Sequence, residues 1–452
     1  MISVYQDVIG QLPILKTYNH GTLGFKIENE SDRAEIVLAL EDATRNLTAN
    51  FPWLAGAVVN EGSGPGNSGT FKVVDWPESA SSSNGILSVR DYTNQLPSFA
   101  EFVRKKAPCS MIDGKLVASY PGFPESYQDS AERPSPILAI QANFIREGLL
   151  LNFSSQHNAI DASGMMQVIG LFSKAMQGTE FSSTAIREGN RDRNTLIPLI
   201  PPGEPIKDHS HLQIPPDYVP SPAFSFDQVA RWGYFLMDAS AVPKIKAAAL
   251  QYQENDPSVP FISSNDALSA FFWKCLADVR TQNGRSPKMV TKFLRAIDVR
   301  RAMAIPPEYM GHMVYHAATR MTFKDLQESH ISTVARKLRT DLNEANNQFS
   351  VRSYVTYIAN TPDKSRIIYG GLFNRDTDVG ASAVANADFF HSFGVIGRPL
   401  FARRPDLAPI PGCVYFMPHE AQHLPILVCL RDDDMVGLKN HPQWGKITEF
   451  IG

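Results

Sequence analysis

The stretch from Ile137 to Met176 restricts the fold more than any other part of the chain. Ile137 to Ile145 and Leu149 to Phe153 are rich in β-branched and aromatic residues and flank Glu147-Gly148. That pattern predicts two paired strands joined by a tight turn. Ser154-Ser155-Gln156-His157 then reads as a polar loop, after which Met165, Val168, Ile169, Phe172, Ala175 and Met176 recur at helical spacing up to Gly178. A strand, a loop and a buried helix in this order put His157 at a junction. There the sheet fixes the strand end and the loop opens onto a cleft.

His157 and Asp161 form H-x-x-x-D. Alone the pattern is weak, because a chain with 11 histidines is expected to hold about one such hit by chance. Its weight comes from its surroundings. Asp161 can be read as an orienting partner of His157 or as one half of a buried ion pair, since four residues across a loop-to-helix turn do not force the two side chains together.

With 452 residues the chain can form two or three typical domains, or two large ones sharing an interface. A net charge of −3, without clustered Lys and Arg, argues against a nucleic-acid surface. No apolar run reaches the length of a membrane span. Met1 to His20 lacks a basic segment followed by an apolar one, so the expectation is a cytoplasmic protein that uses no membrane. Cys109, Cys275, Cys413 and Cys429 are scattered, so no disulfide framework is read and Cys275 and Cys429 read as buried thiols; a chain expected to stay out of the secretory pathway leaves the sequons at Asn46 and Asn152 unmodified. His419 and His423 have the spacing of metal ligands, but Leu424-Pro425 breaks any helix and no third ligand is evident, so no metal site is read.

Along the chain, Ser31 is the expected cap of a helix whose buried face is Ile36, Val37, Leu40, Ala43 and Leu47. Trp53 to Val59 reads as a strand, and the Gly/Ser clusters at Glu61 to Gly69 and Glu78 to Gly85 read as loops. Pro198, Pro201, Pro202, Pro205, Pro215, Pro216, Pro220 and Pro222 mark a semi-rigid crossover at 196–225 between domains 1–195 and 226–452. Beyond it, Trp232 to Met237 reads as a strand. Ser263 or Ser264 caps a helix with a Leu268, Phe271, Phe272, Cys275, Leu276 and Val279 stripe. Met289 to Ile297 and Met313 to Thr319 read as strands, two helices follow between Lys324 and Ala359, and Cys413 to Met417 and Pro425 to Leu430 are short strands. Asp432 to Asp434 read as a helix start favoured by the macrodipole. The pattern is mixed α/β in both halves.

These features resemble the BAHD-type acyl-CoA-dependent acyltransferases, the wider class that includes chloramphenicol acetyltransferase, and within them the fungal branch typified by trichothecene 3-O-acetyltransferase. The likeness spans nearly the whole chain. It rests on Gly10-Gln11-Leu12-Pro13, Phe51-Pro52-Trp53-Leu54-Ala55-Gly56, Asn143-Phe144-Ile145 ahead of H-x-x-x-D, and Asp266-Ala267-Leu268-Ser269-Ala270-Phe271 with Trp273-Lys274. It continues in Arg295-Ala296-Ile297-Asp298 with Arg300, Tyr315-His316, Arg403-Arg404-Pro405, Tyr415-Phe416-Met417-Pro418 and Leu430-Arg431-Asp432.

The resemblance implies two chloramphenicol-acetyltransferase-like domains, each a mixed sheet with flanking helices, and a tunnel between them for acyl-CoA and a small-molecule alcohol. A segment near 380–402 would cross back to the first domain, and a monomer is the expected state. It further implies that Asp161 points away from the chemistry and pairs with the arginine matching Arg300. Ser392-Phe393-Gly394-Val395-Ile396-Gly397 stands where the family carries D-F-G-W-G, with Asp388 one helical turn earlier. His312 stands where plant members carry asparagine.

Acyl transfer to an alcohol needs a base for the hydroxyl proton and a donor for the oxyanion. Histidine suits the first task because its ordinary pKa, about 6.5, leaves it neutral and basic near pH 7. That role falls to His157, and acetyl-CoA is the expected donor. Ser154 and Ser155 lack a G-x-S-x-G elbow and read as ordinary serines. Candidate tunnel or CoA contacts are His312, Tyr315, Ser263, Arg403 and Arg404, with Lys274 a further candidate cation. The rival readings are an amine acceptor, a carrier-protein thioester donor as in condensation domains, and a binding protein without chemistry. The expected product is an O-acetylated terpenoid or polyketide-type secondary metabolite.

Overall fold

The computed structural model describes residues 7–76, 85–122, 135–194, 196–215, 230–251, 259 and 261–452. Its N-terminal sheet runs Phe401–Arg403, Tyr18–Lys26, Gly148–Gln156, Leu138–Ile145, Leu87–Asp91 in spatial order. The central hairpin pairs Ile145 with Gly148 and extends to Leu138 opposite Ser155. Glu147 turns it with a φ of 58°, a conformation most side chains avoid. Gly148 follows because a Cβ there would stand 2.6 Å from the Phe99 side chain.

The polar run expected as a loop is instead the last turn of pairing. Ser154, Ser155 and Gln156 lie on the strand and pair with His20, Asn19 and Tyr18. The strand tolerates Ser154 in its buried interior because the hydroxyl donates to Asn152 Oδ1 at 2.9 Å and meets His20 Nδ1 at 3.0 Å. The Asn152 sequon is likewise fully buried, its amide donating to Thr22 Oγ1.

Helices Arg33–Asn50 and Ala162–Met176 cover one face of this sheet. Ile36, Leu40, Leu47, Val168, Ile169 and Phe172 meet Leu23, Phe25, Leu151 and Phe153 there. Each such buried side chain contributes roughly 1.5–3 kcal/mol relative to exposure. Ser31 does not cap the first helix. It sits inside a 3₁₀ turn, Glu30–Asp32, whose backbone satisfies the entry through the Arg33 N–H and Glu30 O. Trp53 likewise belongs to a 3₁₀ turn, Pro52–Ala55, because Pro52 opens a turn, and the strand spans only Ala57–Glu61.

The C-terminal sheet has seven strands in the order Val314–Thr322, Val290–Asp298, Val379–Ala383, Cys413–Phe416, His423–Arg431, Ala230–Asp238, Thr448–Phe450. Helices Ala241–Leu250, Ser264–Gln282 and Ile331–Ala345 cover one face and Gln348–Asn360 packs in a second core on the other. Three helices, not two, lie in the 323–360 stretch, because His330 and Asn347 each cap a new start after Phe323–Glu328 and Ile331–Ala345. The described part of the proline-rich stretch runs along Gln348–Asn360, with the Ile200 and Lys207 N–H groups donating to Thr356 and Ser353 hydroxyls. Its later prolines, Pro216, Pro220 and Pro222, lie outside the described residues, as does most of the Glu78 to Gly85 cluster.

One C-terminal segment returns to the N-terminal sheet. Phe401–Arg403 pairs antiparallel with Tyr18–Lys26. Just before it, Phe393 enters the first core edge-on to Phe25 at 5.1 Å. Gly394, at φ 58°, leaves no room for a Cβ, which would lie 2.1 Å from Met176 O. The segment that departs from D-F-G-W-G is thus packed against the end of helix Ala162–Met176. Among the described residues no helix is long and apolar enough to cross a membrane.

Candidate active site

His157 follows directly on strand Gly148–Gln156, and its N–H donates to Thr17 O at 2.8 Å. The next residues turn sharply. Asn158 donates to the Leu12 and Gly10 carbonyls, and Arg193 Nη1 donates to Ala159 O at 2.7 Å. The Arg193 guanidinium lies over the Trp53 ring at 4.3 Å and 3.7 Å from Asp7 Oδ2. The loop is therefore held from both sides before Asp161 starts the helix.

Asp161 is the N-cap of Ala162–Met176, accepting from the Gly164 N–H at 2.8 Å. Its carboxylate also takes both arms of the Arg300 guanidinium, each at 2.9 Å, and the Met313 N–H at 2.8 Å. Arg300 spends its remaining donors on Tyr309 O, Gly311 O and Asp298. Asp161 and Arg300 are 1 % and 4 % exposed. Burial alone would raise the Asp161 carboxyl, but the Arg300 charge and hydrogen bonds outweigh it and hold it below the usual carboxylate range. The pair joins the loop of His157 to the 309–313 segment of the other half. Gly164 makes that approach possible, since a Cβ would sit 2.1 Å from Met310 O.

The 309–313 segment carries His312, which is fully buried. His312 Nδ1 lies 3.0 Å from His157 Nδ1 and 3.0 Å from His157 O. Its Nε2 faces the Tyr369 hydroxyl at 3.5 Å. Tyr369 in turn stands edge-on to His316 at 4.3 Å. Burial lowers the pKa of His157, partly opposed by Asp161 and by the ring's hydrogen bond to its own carbonyl. Burial and then the proximity of His157 push His312 well below the usual value. Both rings are neutral at pH 7. His157 keeps partial exposure while His312 has none.

A cleft of about 1630 Å³ opens between the halves, bordered by Ser163 and Lys174 of one helix and by Ser263 and Asn265 at the start of the facing one. Lys246, Arg398, His391 and His419 add cationic or ionisable groups to its wall. Ser163 Oγ donates to Asp298 Oδ2 at 2.8 Å across its floor. Arg300 also borders it, whereas His157 and Asp161 do not line it.

The remaining predicted contacts divide. Ser263 borders the cleft and caps helix Ser264–Gln282 through a capping box with Asp266. Tyr315 does not face the cleft. It is 9 % exposed and packs on Tyr354 at 4.6 Å, because its strand position points into the second core. Arg403 is no phosphate ligand either. Its guanidinium is buried, donating to the Ala107, Lys106 and Ala402 carbonyls and paired with Glu420. Lys274 is occupied by the carbonyls of Leu326, Gln327 and Ser329 at the end of a neighbouring helix. Arg404 lies over Trp232 at 4.4 Å, away from the cleft lining. Asp388 borders the cleft, where it accepts from the Phe390 N–H and lies near His391. Asp7, Arg193 and Tyr369 escaped the sequence reading. Their isolated positions in the chain carry no spacing signal, and only the fold brings them to the site.

Comparison with known proteins places this geometry. A family model described as "Transferase family" matches residues 123–444, and one described as "Trichothecene 3-O-acetyltransferase-like N-terminal domain" matches 17–176. The chain is 42% identical to the O-acyltransferase pigD of Monascus ruber, covering 99% of this chain and 98% of that one. It is 31% identical to trichothecene 3-O-acetyltransferase TRI101 of Fusarium sporotrichioides, covering 99% and 96%. A crystal structure of F. graminearum TRI101 complexed with coenzyme A and deoxynivalenol superimposes with a TM-score of 0.91 at 28% identity, covering 99% of both chains. On this evidence the chain belongs to the BAHD transferase family, in the trichothecene 3-O-acetyltransferase-like branch, and is an acyltransferase.

Proposed function

We propose that the chain transfers an acetyl group from acetyl-CoA to a hydroxyl of a terpenoid or polyketide-type secondary metabolite, with His157 as general base and no covalent enzyme intermediate. The observation that carries this reading is the placement of a neutral, partly exposed imidazole at a rigid strand end, with His312 occupying its Nδ1 side. That leaves Nε2 for the acceptor. The acceptor O–H proton passes to Nε2 as its oxygen attacks the thioester carbonyl. The C–S bond then breaks, and the proton on Nε2 passes to the CoA sulfur. The products are an acetate ester and free CoA.

Other nucleophiles are poorly placed. Burial pushes the Cys109 thiol up to about 12, and the Ser154 hydroxyl is engaged within its sheet. Coenzyme A fits the interdomain cleft by size and by chemistry. The helix start at Ser263, Lys174, Lys246 and Arg398 offer donors and charge to its phosphates. Relatives named as O-acetyltransferases, and solved relatives complexed with coenzyme A and with deoxynivalenol or T-2 mycotoxin, support an oxygen acceptor of natural-product size. We read the protein as a cytoplasmic monomer, which sedimentation at micromolar concentration tests directly.

The deciding experiment measures thiol release from acetyl-CoA across a panel of polyhydroxylated terpenoids and polyketides, with wild type beside His157→Ala. The expected result is acceptor-dependent thiol release that falls roughly 10²–10⁴-fold in the variant at unchanged melting temperature. Turnover that survives the substitution overturns the base assignment. Thiol release driven only by amines or by an acylated carrier protein overturns the acceptor or donor class.

A further inference from the structure

A second cavity, of about 430 Å³, lies in the N-terminal half and shares no lining residue with the interdomain cleft. Its origin is in strand register. Leu87–Asp91 is the edge strand of the N-terminal sheet and runs parallel to Leu138–Ile145, with Ser88 opposite Gln141 and Arg90 opposite Asn143. Residues at these alternate positions share one face of the sheet. The segment 114–120 covers that face, tied down by the Gln141 and Asn143 amides donating to Leu116 O and Val117 O, and it leaves a hollow bordered by Ser88.

The base of the hollow is fixed. Gln141, 4 % exposed, also donates to Asn143 Oδ1 at 2.7 Å and accepts from Ser119 Oγ at 3.0 Å. Ser88 Oγ stands 3.4 Å from Ser119 Oγ, long for an O–H···O bond, so the Ser88 hydroxyl is left to a ligand. Tyr120 forms one wall, its ring held by stacking on Tyr18 at 4.8 Å and 17°. Burial pushes the Tyr120 hydroxyl above its usual range, so it stays a donor. Trp76 and Tyr92 add two more rings to the lining.

The rim carries the charge. Arg90 and Lys115 both border the cavity and are exposed, and neither cationic group has a hydrogen bond or ion pair among the described residues. No Asp or Glu among the described residues lines the cavity. The acids beside the two cations in the chain are turned to other tasks: Asp91 holds Arg33 and Thr93, and Asp113 caps Gly114–Val117 through the Lys115 N–H. The interdomain cleft differs, since Asp298, Glu308 and Asp388 stand among its cations. Two cations at one opening without a counter-charge repel each other and attract an oxyanion.

We infer that this cavity is a small-molecule site, separate from the interdomain cleft, for an aromatic ligand that carries an acidic oxygen, as a carboxylate or a phenolate. Arg90 and Lys115 pair with the oxyanion at the rim, the Arg90 fork being suited to a carboxylate. The ring lies among Tyr120, Tyr92 and Trp76, with the Ser88 hydroxyl below it. The volume falls within the roughly 300–1,000 Å³ usual for small-ligand pockets. The inference does not depend on His157 acting as the base.

The test titrates the full-length protein with 2-naphthoate and salicylate by calorimetry, in saturating CoA so that the interdomain cleft is filled. Methyl 2-naphthoate is the uncharged control, and Arg90→Glu, Lys115→Glu and Lys246→Glu are compared with wild type. Arg90 and Lys115 are exposed and unpaired, so their reversal should leave the melting temperature unchanged. The expected result is binding of the aromatic acids that each rim reversal weakens roughly tenfold or more. Lys246→Glu, in the cleft, leaves that binding as it is, and the ester binds at least roughly tenfold more weakly. Binding no tighter than about 1 mM, equal affinity for acid and ester, or equal affinity in wild type and both rim variants overturns the inference. Binding that CoA displaces, or that Lys246→Glu alone weakens, puts the probe in the interdomain cleft and overturns it too.

Discussion

Two buried carboxylates at helix starts, Asp161 and Asp266, use the same chemistry to different ends. Asp161 is the N-cap of Ala162–Met176 and binds Arg300 in a bidentate pair. Asp266 is the third residue of Ser264–Gln282, completes a capping box with Ser263, and binds Arg295 and Arg339. Burial opposes the charge of both, and in both the arginines and hydrogen bonds prevail and hold the carboxyl below its usual range. The difference lies in what the partners belong to. Arg295 and Arg339 are in the same half of the molecule as Asp266, on strand Val290–Asp298 and helix Ile331–Ala345. Arg300 and Met313 reach Asp161 from the opposite half, and between them lies the segment that presents His312. One ion cluster ties together elements of one half, whereas the other registers the two halves to each other at His157.

Breaking each cluster separates these roles. Asp161→Ala leaves Arg300 buried without its partner, which costs about 3–5 kcal/mol. It also frees the loop, so kcat should collapse even at temperatures where the variant stays folded. A folded variant with wild-type turnover would show that the cross-domain registration is dispensable. Asp266→Ala leaves Arg295 and Arg339 uncompensated and should cost a similar amount, about 3–5 kcal/mol by chemical denaturation. Its kcat should stay within about twofold of wild type where folded, because neither arginine touches His157 or His312. A kcat loss matching that of Asp161→Ala would erase the distinction.

Gly164→Ala probes the interface more gently. The added Cβ meets Met310 O, and the two halves must move apart at a cost of about 1–3 kcal/mol. The expected signature is a kcat loss larger than the melting shift would suggest, since His312 lies two residues beyond Met310. Unchanged kcat with lowered stability would place the strain elsewhere.

The smallest effect is in pH. His157 and His312 have lower pKa values folded than unfolded. Their contribution to stability is therefore complete above the ordinary histidine value of 6.5 and fades as pH falls below it. The two carboxylates, also depressed, keep their contribution until pH drops below about 3.8. Melting temperature should thus decline in two stages on acidification. Replacing His312 with Asn should shrink the first stage without abolishing it, because burial also depresses His20, His209 and His316, and should leave the second; a single-stage decline in wild type would contradict the assignment.

Much of this was legible in the chain. The apolar periodicity of Met165 to Met176 marked a buried helix, and the hairpin before it marked where a histidine would be presented. The position of Arg300 was readable through likeness to a family. Strand ends and helix entries were less so. Ser154 to Gln156 looked like a loop because polar residues rarely occupy a buried strand, and only pairing with Tyr18–Lys26 satisfies them. Ser31 looked like a cap because a backbone-satisfied 3₁₀ entry leaves no trace in residue type. Arg403, Arg404 and Lys274 looked alike as cations, yet carbonyls at distant chain positions engage the first and third.

By itself the sequence determined the local alternation of apolar and polar residues, and with it the mixed sheets, the helices and the junction at His157, since those follow from neighbours within a few residues. Tertiary structure alone decided which side chains face each other across the halves. Asp7, Arg193, His312 and Tyr369 meet around His157 from four separate stretches of chain. No local pattern encodes such meetings, because buried polar groups are placed by hydrogen-bond partners that only the folded chain brings within 3 Å or so of them.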